Sequence, residues 1–171
     1  MSNRIRLGTC SVEEFLNEYR SIKDSARFTV CEHSLKGNSL RYKAFNKSLY
    51  CAKCEIGISF FAFEKEEKDT HCHANAYGYD KDRNEILFTI DHIIPKSRGG
   101  GNHPLNLQTM CYTCNAEKAD TLDENLFNFK LKKSDLNLIY NLLTKRIKEP
   151  EHSEEYKKKI RNIIKKFDKF R

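Results

Sequence analysis

An α+β fold built on a strand–loop–strand–helix core is what this 171-residue sequence predicts. Strand-length apolar runs and helix-spaced apolar positions both occur, and neither dominates. A loop rich in Gly, Ser and Asn, Pro95 to Pro104, separates one strand-like segment from a short second strand and a helix. Two Cys-x-x-Cys pairs, Cys51/Cys54 and Cys111/Cys114, offer a clamp for that core.

Taken in order, Ser11-Val-Glu-Glu14 has the form of a capping box, with Ser11 accepting an early helix amide and Glu14 reaching back. Val12, Phe15, Leu16 and Tyr19 then form the apolar stripe of a helix ending near Asp24. Phe28 to Val30 is strand-like, Lys36 to Ser39 is a loop, and Leu40 to Tyr50 fits helix or strand. Ile56 to Phe63 reads as a strand, and Glu64 to Asp69 as a charged surface loop. Ala74 to Tyr79 and Glu85 to Ile90 are strand-like, and the turn formers between them, Asp80 to Asn84, make the pair a hairpin. Pro95 to Pro104 is an irregular loop. Leu105 to Met110 returns as a strand, and a helix starts around Tyr112 and runs to about Ala119.

Two further helices are expected at the carboxyl end. Ser134 to Ile147 carries Leu138, Ile139, Leu142, Leu143 and Ile147 at helical spacing; Pro150 breaks it and Ser153 caps the last helix. There Tyr156, Ile160, Ile163, Ile164 and Phe167 line one face, while Lys157, Lys158, Lys159, Arg161, Lys165 and Lys166 mostly populate the others. The chain thus divides into a mixed segment at 1–50, a core at 51–120 and basic carboxyl-terminal helices at 121–171. It has no internal repeat and no low-complexity tract.

Thirty-one Lys and Arg against twenty-four Asp and Glu give a net charge of +7 and a pI near 9.0. The surplus suits a polyanionic partner, nucleic acid being the commonest, or simply a solvated Lys-rich surface. No leader-like pattern opens the chain, and no apolar run approaches the roughly 18 residues of a membrane helix. A cytoplasmic protein is expected, and there paired thiols hold metal more often than they form disulfides.

Four of the seven cysteines fall in the two pairs. A Cys-x-x-Cys turn lets two sulfurs reach one ion, and two such turns make a closed structural zinc site. Residues 55 to 110 separate the pairs, far more than the roughly 15–20 of a compact zinc ribbon. Loop-closure entropy grows only logarithmically with length, so the insert is tolerable. A redox couple or buried thiols are the other readings. Cys10 and Cys31 have no spaced partner and read as small core residues. His71-Cys72-His73 offers three soft ligands, but neighbours on an extended chain point apart, which favours a solvated loop over a second metal.

Asp91-His92, Asn106 and Asn115 surround the Gly-rich loop. Hydrolysing a phosphodiester needs an activated water, charge neutralisation on the phosphate, and help for the departing oxygen. A neutral His takes a water proton near physiological pH, and a divalent ion held by carboxylate and amide oxygens serves the other needs. Asp91, His92 and Asn115 have that chemistry. Strand alternation aims adjacent Asp91 and His92 at opposite faces, so the strand is expected to twist or end there.

At these residues, and most closely over DHIIPKSRGGGNHPLNLQTMCYTCNAEK, the chain resembles the HNH endonucleases, whose core is the ββα-metal (His-Me) finger. The resemblance covers about Cys51 to Asp120. It implies His92 as general base, Asn106 as the middle Asn that holds the loop so that His92 faces the phosphate, and Asp91 and Asn115 as ligands of a catalytic divalent ion. Lys118 matches a lysine that commonly meets the nucleic-acid backbone, and the four thiolates match the structural zinc of one branch. Asn at the last position favours magnesium or manganese, because its oxygen is a hard ligand. The family implies a DNA substrate with 5′-phosphate and 3′-hydroxyl products; no residue here reads a 2′-hydroxyl, so RNA stays open.

Lys96, Arg98 and the basic carboxyl-terminal helices are further candidates for nucleic-acid contact. His103 reads as an exposed loop residue. One site cuts one strand, so double-strand cleavage requires a homodimer or two visits. The rival readings are a zinc-stapled module that binds nucleic acid without cutting, and a nuclease subunit of a phage or mobile-element complex that needs its partner.

Overall fold

The computed structural model describes residues 4–22, 27–121 and 133–167, and their side chains except those of 133–137, 146, 166 and 167. The expected helix end at Asp24, and the side chains of Lys166 and Phe167, lie outside the described residues. The fold is α+β. The five-stranded sheet runs in the order β1 (Arg4–Ser11), β4 (Phe60–Glu66), β5 (His73–Tyr79), β6 (Glu85–His92), β7 (Leu107–Cys111), and β2 (Arg27–Val30) pairs with β3 (His33–Lys36) in a second sheet. Among the described residues the α-helices are α1 (Val12–Ser21), α2 (Leu40–Lys47), α3 (Tyr112–Lys118), α4 (Lys133–Lys148) and α5 (Glu154–Phe167).

The chain forms two compact units, Met1–Ile90 with Thr109–Asn115, and Asp91–Gln108 with Ala116–Arg171. These cut across the segments expected at 1–50, 51–120 and 121–171, because the chain crosses from one unit to the other within β6, within β7 and within α3.

In the first unit, Ser11 Oγ accepts from the Glu14 amide at 3.1 Å and Glu14 returns a carboxylate to the Ser11 amide at 2.8 Å, so α1 begins at the capping box. Its stripe of Phe15, Leu16 and Tyr19 is buried, and Phe15 stacks on Phe61 at 3.8 Å between centroids. Phe28, Tyr42 and Phe45 close this core. The ambiguous stretch after Ser39 resolves as helix, α2, burying Tyr42, Ala44 and Phe45. The 80–84 hairpin forms as expected, with Tyr79 opposite Glu85 and Asp80 Oδ1 accepting from the amides of Asp82 and Asn84.

Three expectations are corrected. The strand read at 56–63 runs instead from Phe60 to Glu66, and Glu64 is buried rather than in a surface loop. Its carboxylate accepts from Arg6 Nε, Asn75 Nδ2 and the Tyr77 hydroxyl, which satisfies the charge inside the sheet. Cys31 is exposed, not core: with Glu32 it forms the two-residue turn between β2 and β3, both at positive φ (46° and 68°), as a type I′ hairpin demands. Strand β1 was not anticipated, although Arg4-Ile5-Arg6-Leu7 alternates polar with apolar; its apolar side chains Ile5 and Leu7 stay 44% exposed rather than marking a buried face.

In the second unit, Ile93 and Ile94 pack with Ile139, Leu143, Ile160 and Ile163. The helices α4 and α5 therefore bury their apolar stripes on the segment that follows β6. Ser153 caps α5, its hydroxyl accepting from the Tyr156 amide at 3.2 Å.

Candidate metal and catalytic site

The sulfurs of Cys51, Cys54, Cys111 and Cys114 all lie within 4.8 Å of one another, and Cys54 to Cys111 measures 3.7 Å. A tetrahedron of Zn–S bonds of ~2.3 Å has edges of about 3.8 Å, so the cluster matches a zinc site in size and donor type. Turn geometry supports it from below: burial opposes the Cys51 thiolate, yet the amides of Cys54, Cys111 and Lys53 donate to it and bring its pKa down to about 7. Burial and the neighbouring thiols push Cys111 and Cys114 up. Four crowded sulfurs, one inclined to ionise and two resisting, would be reconciled by a central cation. The long insert between the pairs causes no difficulty, because both turns belong to the same compact unit and Ala52 donates its amide to the Thr109 carbonyl at 2.9 Å.

Asp91 and His92 end β6. As alternation requires, they find different partners. Asp91 is 6% exposed; its Oδ2 accepts from Gln108 Nε2 at 2.7 Å and its Oδ1 from Lys118 Nζ at 2.9 Å. Each oxygen of an ionised carboxylate has a second lone pair, so a hard divalent ion fits this donor while Gln108 and Lys118 hold it in orientation. Lys118 also donates to the His92 carbonyl at 3.0 Å. Its side chain is only 4% exposed, so here the lysine expected on a nucleic-acid backbone instead neutralises Asp91.

His92 is partly exposed, and its Nε2 lies 2.9 Å from Asn102 Oδ1. Asn106 touches neither residue. Its Oδ1 accepts from the Ile94 amide at 2.8 Å, and its Nδ2 donates to the carbonyls of Ile94 at 3.1 Å and Gly101 at 3.0 Å. The two bonds to Ile94 tie the ends of the Gly-rich loop together, and the third holds its middle at Gly101. Gly100 permits this closure, because a Cβ there would stand 1.7 Å from the Ile94 carbonyl oxygen. Asn106 thus holds the loop through side-chain bonds to Ile94 and Gly101.

Asn115, in the first unit, donates Nδ2 to Thr89 Oγ1 at 2.8 Å and to the Ile90 carbonyl at 3.4 Å. Thr89 gives its own hydroxyl proton to the Met110 carbonyl, so its oxygen must accept. That fixes the amide's orientation and leaves Asn115 Oδ1 with lone pairs to offer a cation.

Lys96 and Arg98 form an exposed single-turn 3-10 helix, Lys96–Arg98, with Arg98 Nε donating to the Asp120 carbonyl at 2.8 Å. His103 lies in the loop as expected, where its Nδ1 caps the next turn by accepting from the Leu105 amide. His71, Cys72 and His73 gather no metal-ligand cluster among the described residues. Sequence reasoning missed Asn102 and Gln108. Asn102 read as a turn former and Gln108 as a strand residue; the available signal was a polar side chain at each end of a loop that must fold back on a His and an Asp.

Residues 80–131 match the family model described as HNH endonuclease. No curated protein and no solved structure matches the chain.

Proposed function

We propose, on the premise of the HNH endonuclease segment at residues 80–131, that this protein hydrolyses DNA phosphodiester bonds with His92 as general base. The observation that carries the reading is the pairing of a partly exposed imidazole, held on one nitrogen by Asn102, with a buried, oriented carboxylate next to it in sequence.

His92 takes a proton from a water aligned with the phosphorus. The water oxygen–phosphorus bond forms as the bond to O3′ breaks, leaving a 5′-phosphate; the departing oxygen takes a proton from solvent, and the imidazolium returns its own. A divalent ion, magnesium or manganese, would supply charge neutralisation at the phosphate when bound, with Asp91 as one ligand and Asn115 entering as the other on the motif alone. Asn106 keeps the loop closed behind His92. Lys118 and Gln108 orient Asp91, and Lys96 and Arg98 present positive charge for a polyanion. Zinc on Cys51, Cys54, Cys111 and Cys114 would be structural: a closed set of four thiolates leaves no position for substrate.

The test is nicking of supercoiled plasmid by the purified protein in magnesium or manganese. Cleavage lost on chelation and lost in His92→Ala supports the reading. Tight DNA binding without cleavage under any divalent ion would overturn it in favour of a binding module, and cleavage surviving in His92→Ala would remove the base assignment.

A further inference from the structure

We propose that Asn102 is the positioning residue that selects the tautomer of His92, so that Nδ1 is the nitrogen that accepts the water's proton. The inference rests on the endonuclease reading for its consequence, though not for its geometry.

A neutral imidazole carries its proton on one nitrogen only, and the hydrogen bond made by the other ring nitrogen decides which. Here His92 Nε2 faces the side-chain oxygen of Asn102 at 2.9 Å. An amide oxygen can only accept, so the proton resides on Nε2 and the lone pair on Nδ1. Without such a partner an imidazole divides between tautomers, and only one of the two presents its lone pair to a given water.

Asn102 is itself exposed and sits in a Gly-rich loop, so something must hold it. The adjoining residue supplies the hold. Asn106 Nδ2 donates to the carbonyl of Gly101, the residue before Asn102, at 3.0 Å. Further back, the Tyr156 hydroxyl donates to the Gly99 carbonyl at 3.3 Å, and Gly100 lies against the Ile94 backbone. Two asparagines therefore divide the work: Asn106 clamps the loop, and Asn102, carried on it, sets the imidazole. This gives Asn106 a physical route to His92, which it does not touch.

The experiment compares wild type with Asn102→Leu, which keeps the branched shape and loses the acceptor, and Asn102→Asp, which keeps an acceptor oxygen. Long-range ¹H–¹⁵N spectra of ¹⁵N-histidine protein, with His92 assigned by His92→Gln, report the tautomer in the absence of substrate. Expected are an Nε2–H tautomer in wild type and Asn102→Asp, and a mixture in Asn102→Leu. On plasmid, kcat of Asn102→Leu should fall about 10–100-fold with KM within twofold, mostly because the ring loses its fixed orientation, a mixed tautomer alone costing less than that, and Asn102→Asp should recover most of it. An Nδ1–H tautomer in wild type, or Asn102→Leu with unaltered tautomer and kcat, overturns the proposal. A wild-type protein that shows the Nε2–H tautomer yet never cleaves DNA would sink the endonuclease reading and leave the Asn102–His92 geometry standing.

Discussion

The ammonium of Lys118 lies 2.9 Å from the carboxylate of Asp91, with 4% and 6% of the two side chains exposed. A charge pair this buried is expensive to separate. Its Coulomb attraction and the added bonds from Gln108 and to the His92 carbonyl offset the desolvation of both ions. Removing one partner strands the other. Lys118→Met is therefore expected to destabilise the fold by roughly 3–5 kcal/mol, with Asp91→Asn comparably costly. The double variant should recover a large part of the loss, since no unpaired buried ion remains. Urea denaturation of the four proteins measures the coupling; additive losses would show that the pair does not interact as drawn.

The four-sulfur cluster predicts one zinc per chain in protein purified without chelator, counted by metal analysis. Cys111→Ser should lose the metal and lower the melting temperature, because residues 51 and 111 lie far apart in sequence and an ion held by the cluster would join them. A strong chelator should reproduce the effect on wild type. Unchanged metal content in Cys111→Ser would remove it from the ligand set.

How much of this was legible in the sequence depended on the reach of each interaction. Ser11 and Glu14 cap a helix from three residues apart, and Asp80 to Asn84 turn a hairpin, so local pattern was enough. The cysteine cluster was legible despite its separation because thiol pairs at fixed spacing carry chemistry of their own. Glu64 was misjudged for the opposite reason, and Lys118, set on a nucleic-acid backbone by resemblance alone, is buried. A charged residue reads as exposed until its partners are known, and Arg6 is 58 residues from Glu64 while Asp91 is 27 from Lys118. Asn102 was hidden in the same way, ten residues from the His it contacts.

Loop closure makes a steric prediction. A Cβ on residue 100 would sit 1.7 Å from the Ile94 oxygen and 2.9 Å from Asn106 Nδ2, so Gly100→Ala must push the loop open. It should cost about 1–3 kcal/mol and reduce cleavage by displacing Asn102. Gly8→Ala is the control: a Cβ there meets nothing closer than 3.9 Å and should be tolerated. Equal stability of the two variants would refute the close approach.

The pH dependence follows from depressed carboxylates. The Arg6 guanidinium holds Glu85 below its ordinary range, and backbone amides do the same for Asp80 and Glu14. A carboxyl whose pKa is lower folded than unfolded stabilises the fold above the unfolded value, near ~4. That contribution fades as pH falls through the folded value. The share of stability carried by these three carboxylates should accordingly be intact above about pH 5 and decline below ~4. Glu85→Gln should cost under about 1 kcal/mol at pH 7, since the pair is well exposed, and nothing at pH 2. A difference that persists at pH 2 would assign the effect to packing.

The carboxyl-terminal helices carry the last prediction. Their Lys-rich surface suggests a nucleic-acid arm that could be cut away without harming the segment around Asp91 and His92. Their apolar faces argue otherwise. Ile160 is fully buried, Ile163, Ile139 and Leu143 nearly so, and they cover Ile93 and Ile94 directly after the Asp91–His92 pair. Ending the chain at Thr121 would expose both isoleucines and remove the Tyr156 bond to Gly99. Such a chain should lose amide-exchange protection across 91–108 and lose cleavage even on short duplexes at low salt, where weak DNA affinity no longer limits the rate. The finer variant is Ile160→Ala, expected to cost about 2–5 kcal/mol through the cavity it leaves. If the helices were only an arm for nucleic acid, both changes would raise KM, leave kcat unaltered and leave exchange in 91–108 untouched.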